Sequence, residues 1–223
     1  MRASLVITSF NLGDYLPDAL DSARDQTRPF EEIVVVDDGS TDDTRQVAEA
    51  FGVRVLRISN RGWASARNAG ALATVGEAIC FLDADDWLYP GYLEHALPEM
   101  DCDGCEDIGV VAVGLDADGV TVQGGYWPPP SNGDVASLPD RNCIWSSSLI
   151  RRAALVECGG FNHHAGPVCD WDLWVDITKR GWKVAAVDLA LYHWRDRPDG
   201  MHQSIDWAAA ATVLRRNHPE VFA

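Results

Sequence analysis

Basic residues are scarce in this chain. Lys and Arg number 18 among 223 residues against 34 Asp and Glu, for a formal net charge of −16. Affinity for phosphate backbones and anionic headgroups comes from basic side chains that release counterions, so no nucleic-acid partner is expected. Long apolar runs are missing too. Nothing approaches the roughly 20 consecutive apolar residues that span a bilayer, so no transmembrane segment is expected. The N-terminus runs from Met1-Arg2-Ala3-Ser4 into Leu5-Val6-Ile7, too short for a signal-peptide core and lacking a small-residue cleavage site. A cytoplasmic location is expected. Cysteines are few (80, 102, 105, 143, 158 and 169). No second pair follows Cys102 and Cys105 at zinc-site spacing, so all six are expected to be unpaired thiols. There is no repeat and no linker-like stretch. A hydrophobic content of 47% with 23% charged residues excludes a disordered or fibrous chain.

What is present is alternation. Leu5-Val6-Ile7, Ile33–Val36, Val53–Ile58 and Ala78–Leu82 are short, uniformly apolar runs, as expected of strands covered on both faces. Between them lie helical patterns near 14–26, after Ser40 and Asp43 (an N-cap spacing), and over 63–75. The fold class is α/β, a mostly parallel central sheet flanked by helices. Past Pro90 the pattern becomes mixed. Ile108–Leu115 and Val120–Tyr126 read as a hairpin across Asp116-Ala117-Asp118-Gly119. Ile144–Ile150 and Lys183–Val187 read as strands, with a helix from near Asp170 and another from Asp206. One domain over 1–223 is expected: a nucleotide-binding half (1–90), an acceptor-side half (91–205) and a C-terminal helix (206–223).

Ligands of open α/β sheets bind beyond the carboxyl ends of the strands, and there the carboxylates gather. Strand two ends in Asp37-Asp38 and strand four in Asp83-Ala84-Asp85-Asp86. Five carboxylates on one rim repel one another unless a cation relieves them. Mg²⁺ or Mn²⁺ would do so and would also bridge to a diphosphate. On an extended segment Asp83 and Asp85 would share a face. Arg67, within Gly62-Trp63-Ala64-Ser65-Ala66-Arg67-Asn68-Ala69-Gly70, sits among small residues where a ligand can approach. A third cluster, Cys169-Asp170-Trp171-Asp172-Leu173-Trp174, follows a glycine-containing loop. Asp170 could accept a proton there or merely cap the helix. Trp171 and Trp174 are better suited to a core than to a sugar platform.

Taken in order, VITSFN (6–11), IVVVDDGSTDDT (33–44), RGWASARNAG (61–70), AICFLDADDWLYP (78–90) and DWDLW (170–174) resemble the family 2 glycosyltransferases of the GT-A fold. The resemblance implies an inverting transfer of sugar from a nucleotide-sugar donor, UDP- or TDP-type, to a hydroxyl acceptor. It implies that Thr8, Phe10 and Asp38 line the nucleobase pocket and that Arg67 lies near base and phosphates. Asp83-Ala84-Asp85 matches the DxD motif, with Asp83 toward ribose and donor sugar, Asp85 on Mn²⁺ or Mg²⁺ and Asp86 supporting. Asp170 matches the general base. Tyr192-His193-Trp194-Arg195 with Met201–Ser204 resembles a late loop over the diphosphate, with His193 as a metal ligand and Arg195 and Arg197 as phosphate contacts. Where the family often has Glu-Asp, this chain has Cys169-Asp170. Three rival readings are a sugar nucleotidyltransferase, a catalytically silent nucleotide-sugar-binding module and a receiver-like signalling domain. The first would want basic residues after strand one, where Thr8–Gly13 has none, and the last an acidic pair there.

Overall fold

A computed structural model of the chain describes residues 1–119, 125–129, 138 and 142–222. Its sheet begins with four parallel strands in the order β3 (Arg54–Arg57), β2 (Glu32–Asp37), β1 (Ala3–Ser9) and β4 (Ala78–Asp83). Parallel pairing aligns their carboxyl ends, so Ser9 faces Asp37 and Thr8 faces Asp83 across the ladders. Beyond β4 the sheet turns mixed. β8 (Leu149–Arg151) lies antiparallel between β4 and β6 (Ile108–Gly119). β9 (Lys183–Asp196) runs parallel to β6 and pairs antiparallel with the two-residue β5 (Trp87–Leu88), and β7 (Gly125–Trp127) flanks β6.

The period-two side-chain alternation of strands divides the core. Val6, Val36, Phe81 and Val110 point to one face, covered by α3 (Trp63–Ala73), α5 (Arg152–Glu157), α6 (Cys169–Lys179) and α7 (Trp207–Asn217). Leu5, Ile7, Val35 and Leu82 point to the other, under α1 (Leu16–Arg24), α2 (Thr44–Ala50) and α4 (Tyr92–Ala96). The small residues of α3 let it lie directly on β1. A Cβ on Gly70 would stand 2.2 Å from Val6 Cγ1.

Several expectations need correction. Residues 116–119 are strand rather than turn, because Asp116 and Ala117 are held by β7 on one side and β9 on the other; residues 120–124 of the expected hairpin lie outside the described residues. The strand at 144–150 shrinks to Leu149–Arg151. Before it the chain turns, Ser148 N donating to Trp145 O, while the Ile144 carbonyl accepts from the Trp174 indole. Ser40 does not cap α2; its hydroxyl accepts from Asn11 N, and Asp42 instead takes Thr44 N and Oγ1 at 3.1 and 2.6 Å. The segment 192–195 is the end of β9, not a loop. Cys102 and Cys105 are paired as a disulfide, since the turn between them brings their Cα atoms to 5.3 Å, within bridging range. Cys80, Cys143, Cys158 and Cys169 are free.

Candidate active site

The strand ends build the site. Asp83, the last residue of β4, accepts from Thr8 Oγ1 on neighbouring β1 at 2.8 Å and from Arg67 Nη2 through both carboxylate oxygens at 3.1 Å. Arg67 reaches it from the buried face of α3. It also approaches Cys169 Sγ at 3.5 Å and lies 5.5 Å over the Phe161 ring. Burial opposes the guanidinium's charge, but the neighbouring Asp83, Cys169 and Asp170 outweigh it and hold its pKa above the ordinary value.

Asp170 stands in the first turn of α6, half-buried, with Asn142 Nδ2 donating to it at 3.2 Å. Burial pushes its pKa up; Arg67, the Trp171 amide and Asn142 pull it partly back. Cys169 beside it is buried and has its thiol pushed up to about 11, so it is a neutral neighbour where a glutamate would add charge. The structure therefore joins Thr8, Arg67, Asp83 and Asp170 in one electrostatic cluster. Asn142 belongs to it as well, and no motif marked it.

The rest of the acidic rim divides. Asp37 is fully buried and accepts from Ser40 N. Asp38 accepts from the amides of Arg61 and Gly62, each at 2.7 Å, fixing the entry of α3. Asp86 is buried, accepting from Tyr192 Oη and from Arg195 N at 2.9 Å, and burial with two acidic neighbours raises its pKa well above the usual range. Only Asp83 and Asp85 keep appreciable exposure, 29% and 18% of the side chain. They do not share a strand face, because Asp86 N turns back to Asp83 O. Asp85 instead faces Arg197 Nε at 2.9 Å. Burial and Asp83 raise the Asp85 pKa, against the pull of Arg197.

Arg197 lies over the Tyr15 ring at 4.8 Å, and Arg195 sits between Tyr15 and Trp87 at 5.1 and 5.0 Å. Both arginines reach the rim from the end of β9. Phe10, 42% exposed, stands just past β1. His193 is buried and stacked on Trp87, ring centroids 3.6 Å apart, with Nδ1 3.4 Å from Tyr89 Oη and 3.8 Å from Asp116. Trp87 is its register partner across β5 and β9, two residues past Asp85. Among the described residues, no group of three or more His, Cys, Asp and Glu side chains stands together as a metal cluster. Asp85 nonetheless suits a hard cation: it is an oxygen donor whose charge is strained by burial and by Asp83. Trp171 and Trp174 are buried, as core positions should be.

With this geometry in view, residues 4–159 match the family model described as Glycosyl transferase family 2. The chain belongs to glycosyl transferase family 2. Chondroitin synthase of Escherichia coli is 30% identical over 190 residues, covering 80% of this chain and 26% of that enzyme. Matched stretches cover a third or less of the length of such curated relatives. Staphylococcus aureus TarS in complex with UDP-GlcNAc superposes with a TM-score of 0.78 at 21% identity, over 97% of this chain and 66% of TarS. Glucosyl-3-phosphoglycerate synthase of Mycobacterium tuberculosis, in complex with Mn²⁺, UDP and glucosyl-3-phosphoglycerate, gives 0.70 at 20% identity, over 97% of this chain and 79% of that one. The fold is thus that of GT-A glycosyltransferases. Among the described residues of this family member, no helix is long and apolar enough to cross a membrane.

Proposed function

We propose that the chain is a single-domain inverting, metal-dependent glycosyltransferase, moving a sugar from a UDP- or TDP-type donor to a hydroxyl acceptor in the cytoplasm. Asp170 carries the reading. It is a half-buried carboxyl with a raised proton affinity, beside the Arg67–Asp83 pair and steadied by Asn142. A general base must be ionised at working pH yet basic enough to take a proton, and a carboxylate raised above its ordinary range meets both demands. The acceptor oxygen bonds to the anomeric carbon as its O–H proton passes to Asp170. The bond from that carbon to the diphosphate oxygen breaks on the opposite face, and the electron pair leaves with the diphosphate.

Thr8, Phe10 and Asp38 form the nucleobase pocket in this reading, the Asp38 carboxylate being already oriented by the Arg61 and Gly62 amides. Asp83, aimed by Thr8 and Arg67, meets ribose and donor sugar. Asp85 and His193 would hold Mn²⁺ or Mg²⁺, and a bound ion supplies charge stabilisation to the departing diphosphate. Arg195 and Arg197 are cationic contacts for the same phosphates. Complexes of the structural neighbours with UDP-GlcNAc and with Mn²⁺ and UDP support a donor of this class.

The test is calorimetric titration with UDP, TDP, GDP and ADP, each with Mn²⁺ and with EDTA. One diphosphate should bind with Mn²⁺ and release with EDTA. Asp85→Asn should lose that dependence, and unchanged Mn²⁺-dependent affinity would remove Asp85 from the metal site.

A further inference from the structure

Two arginines reach the rim from the end of β9, and one ring carries both. The Tyr15 ring lies 5.1 Å from the guanidinium carbon of Arg195 and 4.8 Å from that of Arg197. It is half-buried, and its mounting comes from the other end of the chain. Tyr15 N donates to Leu12 O at 3.1 Å at the entry of α1, whose Leu16, Ala19 and Leu20 are buried. The loop before it is fastened to the segment leading into α2. Asn11 N donates to Ser40 Oγ at 2.9 Å, Gly13 N to Asp42 at 2.9 Å, and Asn11 Oδ1 accepts from Thr41 N at 2.8 Å. Asn11 itself stands at a φ of 54°, in the left-handed region. Such a conformation persists where surrounding bonds over-determine it, and it clusters at functional sites.

Carboxylates hold the N–H groups of these arginines. Arg195 Nη2 donates to Asp18 at 2.6 Å. Arg197 donates from Nε to Asp85 at 2.9 Å and from Nη1 to both oxygens of Asp199 at 3.1 and 3.2 Å. The side chains of Asp18 and Asp199 are 58% and 75% exposed. Exposed ion pairs contribute little, so phosphate oxygens replace these two carboxylates at small cost. A ring beneath a guanidinium attracts its charge and uses none of its N–H donors. Tyr15 can therefore hold both cations while their donors change partners. Two cations on one ring repel each other, and an anion with charge on two adjacent groups relieves that repulsion through both arginines at once. Arginines seated beforehand also spare the ligand the cost of ordering them.

We propose that Tyr15 is a positioning residue for the leaving diphosphate, seating Arg195 and Arg197 before the donor arrives. This rests on the reading of those arginines as phosphate contacts. The test titrates the full chain with UDP, TDP, GDP and ADP in Mn²⁺ and carries the tightest binder to the variants. Tyr15→Leu removes the ring and keeps apolar bulk. It should weaken binding about tenfold, because the ligand must then order the arginine side chains itself. Tyr15→Phe keeps the ring and should bind within about threefold of the parent. In an Arg197→Met background Tyr15→Leu should cost only about threefold, since Arg195 alone remains and keeps the Trp87 ring at 5.0 Å. The proposal is overturned if Tyr15→Leu binds as the parent does, if Tyr15→Phe loses as much as Tyr15→Leu, or if Arg197→Met leaves the cost of Tyr15→Leu undiminished. It is overturned too if Tyr15→Leu weakens binding only by unfolding the chain, which urea unfolding without nucleotide reads directly. Binding indifferent to Tyr15 leaves the phosphate reading standing; a parent that binds none of the four diphosphates overturns that reading and the proposal with it.

Discussion

Replacing Arg67 by methionine is the perturbation with the most calculable outcome. The arginine is 5% exposed, and its guanidinium meets both oxygens of Asp83 at 3.1 Å. Removing one partner from a buried ion pair costs about 3–5 kcal/mol, because the other charge is left uncompensated. Asp83 keeps 29% side-chain exposure and its bond from Thr8, so the stranded charge is partly solvated and the low end applies. The lost cation–π contact with Phe161 adds roughly 0.5–2 kcal/mol. Methionine retains most of the apolar stem. The expected loss is about 4 kcal/mol, or a Tm lower by roughly 8–16 °C for a chain of this length. Urea unfolding without nucleotide measures it, read from the midpoint at constant slope. Because most of the cost is a stranded charge, Arg67→Met with Asp83→Asn should be less destabilised than the two single losses summed. A loss under about 1 kcal/mol, or a coupling near zero, would refute the claim that this pair organises the rim.

Other outcomes can be stated briefly. Asp170→Asn should keep diphosphate binding and lose transfer by roughly 10²–10⁴-fold, in a radiolabelled-sugar assay once an acceptor is in hand. In the parent, transfer should fall as pH drops through an Asp170 value above the ordinary carboxylate pKa of about 3.9. Arg67→Met should move that limb to higher pH, since the guanidinium favours the ionised form. Burial pushes Asp172 up, but His218, Asn217 and Asn162 outweigh it and leave its pKa lowered. Its stabilisation is therefore full above the unfolded value near 4 and fades as pH falls through the native one; Asp172→Asn should flatten the acid limb of a stability–pH curve. Gly70→Ala should cost about 1–3 kcal/mol by overpacking against Val6, measured by the same urea method.

Much of the first half was legible. Uniformly apolar runs announced β1, β2 and β4, and the aspartates following them marked the rim. The small residues of α3, read as room for a ligand, instead seat the helix on β1, and Arg67 meets Asp83 there. The second half was harder, for physical reasons. Asp116 and Ala117 look like turn residues locally, but pairing with β9 outweighs that preference. Five strand-end carboxylates look alike in a sequence, yet Asp37 and Asp86 are buried structural acceptors while Asp83 and Asp85 face arginines. Asp85 and Arg197 lie 112 residues apart, so no local pattern could pair them. Asn142 sits in no motif, and only the seating of 142–148 against α6 brings it to Asp170.

Asp86 ties this site to the order in which the chain assembles. It receives Tyr192 and Arg195 across 106 and 109 residues. Contacts of such separation must close a long loop before they repay its entropy, so they form late in folding. A chain halted before β9 would lack both of these partners, and with them the finished rim. A diphosphate that binds only the completed rim would draw the whole folding equilibrium toward the native state, by RT ln(1 + [L]/Kd).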